Sequence, residues 1–180
     1  MINEKVIVAG FGGQGVMLMG QLLSFCATEK DINTLWFPSY GPETRGGTAN
    51  CSVTISEDYV NSPVISTPDS IIIMNKPSLN KFMPKLKEGG NLFVNTSLVT
   101  NATYREDVNV YELPVNDLAL SLGNQKVANM IMLGAYLEIT KIFTDEEVMT
   151  ILAQKFTGEK AKLLDINKKA LETGRKAILK

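Results

Sequence analysis

Histidine is absent from this 180-residue chain, and cysteine occurs only at Cys26 and Cys51. The first absence removes the commonest general base and the commonest metal ligand together. The second excludes an iron–sulfur cluster held by this chain alone, since a cluster needs about four thiolates and the two cysteines form no C-x-x-C pair. An excess of charge of one sign is missing too: 18 basic and 19 acidic side chains leave a net charge of −1. Attraction to nucleic-acid phosphates is therefore not expected. No apolar run approaches the roughly 18 residues of a membrane span. Met1–Lys5 leads straight into an apolar strand without the regions of a signal peptide. With two sparse thiols, that points to the reducing cytoplasm.

What is present suits one α/β domain over residues 1–180. Hydrophobic residues make up 44%, enough for a substantial core. Lys5–Gly10 reads as a buried strand, and from Gln14 to about Glu29 the spacing turns helical. Val16, Met19, Gly20, Leu23, Cys26 and Ala27 form one stripe, with Gly20 letting the helix lie close to a sheet. Further strands are predicted near 32–37, 48–56, 70–74, 91–95 and 109–113. Cys51, Val53 and Ile55 share one strand face. Helices are predicted from Ser78, from Asn116, over Lys126–Thr140, after a Thr144–Glu147 capping box, and over Lys160–Leu179. Strands alternating with helices predict a Rossmann-like open, mostly parallel sheet with helices on both faces. The helices at 14–29 and 126–140 are apolar almost all round, so one of them is expected to face a partner. Asn129 would otherwise bond nearby backbone inside the domain. Cys26 and Cys51 read as core thiols.

Eight of the 14 glycines fall in the first 47 residues. Gly10, Gly12 and Gly15 match G-x-G-x-x-G between a strand and a helix, with Gly13 and Gln14 inside the loop. Such a loop offers unpaired N–H groups to an anion. A dinucleotide site also wants a carboxylate at the end of the second strand. This strand ends at Trp36-Phe37-Pro38-Ser39, which disfavours that reading. A turn that only closes strand–helix packing remains an alternative, as does contact with another subunit. The second cluster, Ser39 to Gly47, is expected at the same sheet edge. There Arg45 can offer its guanidinium to a phosphate or carboxylate, or pair with Glu43 to hold the turn. Ser97 and Thr100 end another strand and serve either as turn caps or as ligand contacts.

Taken together, these segments resemble the gamma subunits of 2-oxoacid:ferredoxin (acceptor) oxidoreductases. The resemblance rests on the Gly10–Val16 loop, on Ser39–Cys51, on Ser62-Pro63, on Met74–Ser78, on Gly90–Asn95 and on Val127–Gly134. Its wording in Ser39–Cys51 is closer to 2-oxoglutarate and branched-chain members than to pyruvate members. It implies a thiamine-diphosphate-dependent decarboxylation with electrons passing through iron–sulfur clusters to ferredoxin and the acyl group to coenzyme A. Thiamine diphosphate and the clusters would sit on partner alpha, beta and possibly delta subunits. This chain, inactive alone, would help form the coenzyme A site through Gly12, Gly13, Gln14, Ser39 and Arg45. The basic residues of the last helix outnumber Asp165 and Glu172. They make either a solvated face or a surface steering acidic ferredoxin or a partner subunit.

Overall fold

The computed structural model describes residues 1–41 and 48–179. Nine residues with β-branched centres make β1 (Asn3–Phe11), whose Val6, Val8 and Ala9 are fully buried. It sits in the middle of a six-stranded sheet. The others are β2 (Asn33–Tyr40), β3 (Thr48–Ser56), β4 (Ser70–Ile73), β5 (Asn91–Asn95) and β6 (Asn109–Leu113), in the order β2-β3-β1-β4-β5-β6. β1, β4, β5 and β6 pair in parallel, whereas β3 runs antiparallel to both β1 and β2. The sheet is thus mostly parallel, as expected, with one reversed strand that helix–strand alternation did not predict. Its cause is the short connection: residues 41–47 are too few for a crossover, which takes a dozen or more. The strand after β2 therefore folds back as a hairpin.

Alternation along the strands divides the core in two. Val6, Val8, Cys51, Val53, Ile55, Ile72 and Phe93 face α1 (Val16–Glu29), α4 (Ala128–Thr140), α5 (Asp145–Lys155) and α6 (Leu164–Ile178). Ile7, Ala9, Ile71, Ile73, Leu92 and Val94 face the short α2 (Lys76–Phe82) and its following turn. The smaller α3 (Val115–Ser121) follows β6. Helices on both faces are as predicted. On the second face Phe37 of the outer strand β2 is 52% exposed, whereas Thr54 and Ser56 of β3 are buried beside the segment that carries Tyr59 and Val64.

The predicted α1 stripe is buried, and a Cβ on Gly20 would stand 2.5 Å from Cys51 Sγ and 2.9 Å from Trp36 Nε1. Close approach of helix to sheet therefore requires glycine there. The expectation that α1 or α4 faces a partner is corrected for α4. Every residue of α4 from Ala128 to Leu137 is buried inside the domain, because α6 crosses it where Gly134 meets Leu171 and Gly174 meets Ile131. α1 is likewise covered apart from its outer side, where Phe25 is 45% exposed under the Lys155 ammonium. An all-round apolar helix needs cover, and here the chain itself supplies it.

Two termini differ from expectation. The cap of α2 is Asn75, whose Oδ1 accepts from the Ser78 N–H at 3.1 Å, while Ser78 itself is buried. The last helix starts at Leu164, after a 3-10 turn over Gly158–Leu163. The Thr144–Glu147 capping box forms as predicted. On α6, Lys169 pairs with Asp165 one turn away at 3.2 Å, and Arg175 pairs with Asp145 at the start of α5 at 3.0 Å.

Candidate functional site

β1 runs into α1 on one face of the sheet, and its neighbour β4 runs into α2 on the other. The carboxyl ends of these two strands are thus a topological switch point, where the crevice of an open α/β sheet receives ligands. The predicted glycine loop lies there. Gly13 and Gly15 take φ of +91° and +75°, conformations that favour glycine. Gly15 caps α1 with no side-chain hydrogen bond, and the first turn carries no acidic residue. That leaves the positive end of a 14-residue helix facing the crevice.

Gln14 braces the loop from beneath. Its Oε1 accepts from the Phe11 N–H at 2.6 Å, and its Nε2 donates to the Met74 carbonyl at 3.3 Å. The same carbonyl accepts from Nδ2 of the buried Asn95 at 3.1 Å, and that Nδ2 also donates to Asn116 Oδ1 at 2.6 Å. One chain of amides therefore ties the ends of β1, β4 and β5 to α3. A Cβ on Gly10 would stand 2.5 Å from Gln14 Oε1 and 2.9 Å from Met74 Cβ, so that position needs glycine for this packing. Behind the loop, Asn129 Nδ2 donates to the Gly15 carbonyl at 3.3 Å and Asn129 Oδ1 accepts from the Met130 N–H at 2.9 Å. The backbone-bonded reading of Asn129 is the observed one.

Around this edge lies a cavity of about 80 Å³ lined by Gly13, Gln14, Met74, Asn116, Gln125, Lys126, Ala128 and Asn129. A second, of about 390 Å³, adjoins it through Lys126 and Asn129. Lys126 brings the cation. Sequence reading placed it only as a helix start, and no local pattern marks it, because α4 reaches the glycine loop through tertiary packing alone.

Of the predicted residues, Gly10, Gly12, Gly13, Gln14 and Gly15 come together, with Gly12 and Gly13 exposed. Ser39 does not join them. It pairs with Asn50, which pairs with Ala9, so it stands two strand spacings from β1, about 10 Å. It also faces the side of the sheet away from α1. Arg45 and Glu43 lie outside the described residues; the strand that follows them begins at Thr48, which pairs with Phe11. Ser97 serves as a cap: its Oγ accepts from the Asp117 N–H at 3.1 Å and donates to Asp117 Oδ2 at 3.0 Å.

The thiols are unreactive by environment. Burial pushes both Cys26 and Cys51 up to about 12, and both are free. We expect neither to react with a disulfide reagent at pH 8 until the chain is unfolded, when both react; rapid labelling of the native chain would contradict this burial. Among the described residues no group of three or more Cys, Asp or Glu side chains is placed to hold a metal ion, and no helix is long and apolar enough to cross a membrane.

An α/β domain with a glycine-lined crevice at its switch point describes a class. Comparison with known proteins narrows it. Residues 5–177 match the family described as pyruvate ferredoxin/flavodoxin oxidoreductase. The chain is 38% identical over 170 residues to ketoisovalerate oxidoreductase subunit VorA of Methanothermobacter marburgensis, covering 94% of this chain and 35% of that protein. It is 33% identical over 188 residues to 2-oxoglutarate synthase subunit KorC of Methanothermobacter thermautotrophicus, covering 99% and 96%. The crystal structure of a keto/oxoacid ferredoxin oxidoreductase gamma subunit from Geobacter sulfurreducens superposes with a TM-score of 0.82 at 26% identity, covering 98% of each chain. A 2-oxoglutarate:ferredoxin oxidoreductase from Magnetococcus marinus, with 2-oxoglutarate, coenzyme A and succinyl-CoA bound, superposes at 0.89 and 22% identity over 99% of this chain and 31% of that one. The chain belongs to the pyruvate ferredoxin/flavodoxin oxidoreductase family. It spans about a third of the length of the first curated relatives it matches.

Proposed function

We propose that this chain is the gamma subunit of a 2-oxoacid:ferredoxin oxidoreductase. That complex turns a 2-oxoacid, coenzyme A and oxidised ferredoxin into acyl-CoA, carbon dioxide and reduced ferredoxin. The observation that carries the reading is the near end-to-end match to a separate 2-oxoglutarate synthase subunit. The preferred substrate is 2-oxoglutarate, with the branched-chain 2-oxoacid of the VorA relatives as the competitor. Thiamine diphosphate and the iron–sulfur clusters belong to alpha, beta or delta partners. The donor set here supports that division, because two buried thiols and no histidine do not suit a cluster. The exposed Phe37 on the outer strand β2 supports packing against one of those partners.

Coenzyme A fits the switch-point edge. Its phosphates are anions, and the edge offers the α1 N-terminus, the backbone of Gly12 and Gly13, and Lys126, with Arg45 three residues before Thr48 as a further cation in sequence. Gln14 acts by holding the loop, its amide being already committed to Phe11 and Met74. A stand-alone dinucleotide enzyme is not favoured: β2 ends without a carboxylate for a ribose, and β3 stands between it and β1. In the reconstituted complex, Arg45→Ala is expected to raise KM for coenzyme A about 10-fold, as loss of one charge-assisted contact would. The kcat is expected to stay near wild type. An unchanged KM for Arg45→Ala and for Lys126→Ala together would defeat the coenzyme A assignment.

A further inference from the structure

The sheet has two outer strands, β2 and β6, and their edges are finished differently. β6 has five residues and carries Glu112, the short length and charge that normally keep an open edge from pairing with another chain. β2 has eight residues, Asn33 to Tyr40, and none is charged. It pairs with β3 on one side, and among the described residues its backbone bonds no other backbone on the other side. Every second N–H and C=O along β2 is therefore open, because an antiparallel ladder uses only alternate residues. Pro38 has no N–H, so the unbroken row of donors runs from Asn33 to Phe37.

The surroundings of this edge are as free of charge as the strand. α1 lies over β2, with Gly20 against Trp36 and Ser24 Oγ 3.2 Å from Thr34 Oγ1. That helix has no charged residue from Val16 to Thr28, and between Gly15 and Tyr40 the charges are Glu29, Lys30 and Asp31, all at the turn before β2. The side chains along the edge are partly covered: Thr34, Leu35 and Trp36 are half-buried and Phe37 is exposed.

We propose that an extended, uncharged segment of a partner subunit adds to β2 as a seventh strand of this sheet. A row of open backbone donors and acceptors at strand spacing is met in full only by another strand. The absence of charge selects the kind of segment. A charged side chain brought to this edge would be set against Leu35, Trp36 and the uncharged part of α1, away from any counter-charge. The inference rests on the gamma-subunit reading above and specifies where and how a partner attaches.

Hydrogen exchange, read by mass spectrometry on the full chain alone and in the reconstituted complex, tests it. In the chain alone, the alternate amides of Asn33–Phe37 that β3 leaves open are expected to exchange rapidly. In the complex they are expected to slow at least about 100-fold, as amides do on joining a stable ladder. Phe37→Lys, at an exposed position, is expected to leave Tm unchanged and to weaken assembly about 10-fold, whereas Phe37→Thr, uncharged and strand-prone, should cost less. If the complex forms and protects other segments while the β2 amides stay open, strand addition is wrong and the gamma-subunit reading stands. If the chain alone is a dimer with β2 already protected, the edge belongs to a second copy and the proposal is overturned. If no complex forms with 2-oxoacid oxidoreductase subunits, the broader reading fails as well.

Discussion

Gly174→Ala is expected to destabilise the chain by about 3 kcal/mol. At this length that corresponds to a fall in Tm of roughly 6–12 °C. The sign is contrary to helix propensity, since alanine in a helix interior normally gains about 1 kcal/mol over glycine. Here the methyl group would run into the Ile131 carbonyl oxygen and stand 2.7 Å from its carbon and 3.1 Å from the Ala135 nitrogen. Backbone cannot rotate aside as a side chain can. The only relief is to push α6 away from α4, which opens the packing around Met130, Leu133 and Tyr136. Gly134→Ala acts on the same crossing through the Leu171 carbonyl, and its effect should not add fully to the first. Thermal unfolding of both single variants and the double would check this. A Gly174→Ala chain as stable as wild type would mean that the α4–α6 crossing is not as close as described.

Gly15→Ala should cost about 3 kcal/mol and also weaken coenzyme A binding, while Gly13→Ala should cost only about 1 kcal/mol. Both positions have positive φ, so both variants carry the same backbone strain. They differ in their surroundings. Nothing lies within 4 Å of a Cβ on Gly13, whereas one on Gly15 would press on Asn129 Nδ2 and stand 2.7 Å from Asn129 Cγ. Asn129 has little freedom to retreat, being 4% exposed and bonded through both ends of its amide. The pair of variants thus separates loop strain from the contact between α1 and α4. Denaturant midpoints and KM for coenzyme A measured on both would decide it, and equal losses would remove the special role given to Asn129.

Much of this molecule was legible from local pattern. The buried strands, the α1 stripe, the Gly20 approach, the Thr144 capping box and the glycine loop all depend on residues close together in sequence. Periodicity and cap chemistry report such things directly. The reversed β3 was legible too, from the seven residues joining it to β2, but strand–helix alternation spoke louder. The Asn75 cap was masked by Ser78, a residue of equally good capping type three positions on. The covering of α4 was not legible. An apolar helix looks the same whether its cover comes from another subunit or from α6 more than 30 residues later.

By itself the sequence determined the α/β class, the glycine loop and the two unpaired core thiols. These follow from residue types and short spacings, and they hold wherever the segments end up. Tertiary structure alone decided which residues share the crevice. It set Ser39 two strands from the loop and brought Lys126 and Asn129 to it from more than 100 positions away. The reason is physical: strand order and helix crossings are settled by burial of whole faces, and no short stretch of sequence contains both partners of such a contact.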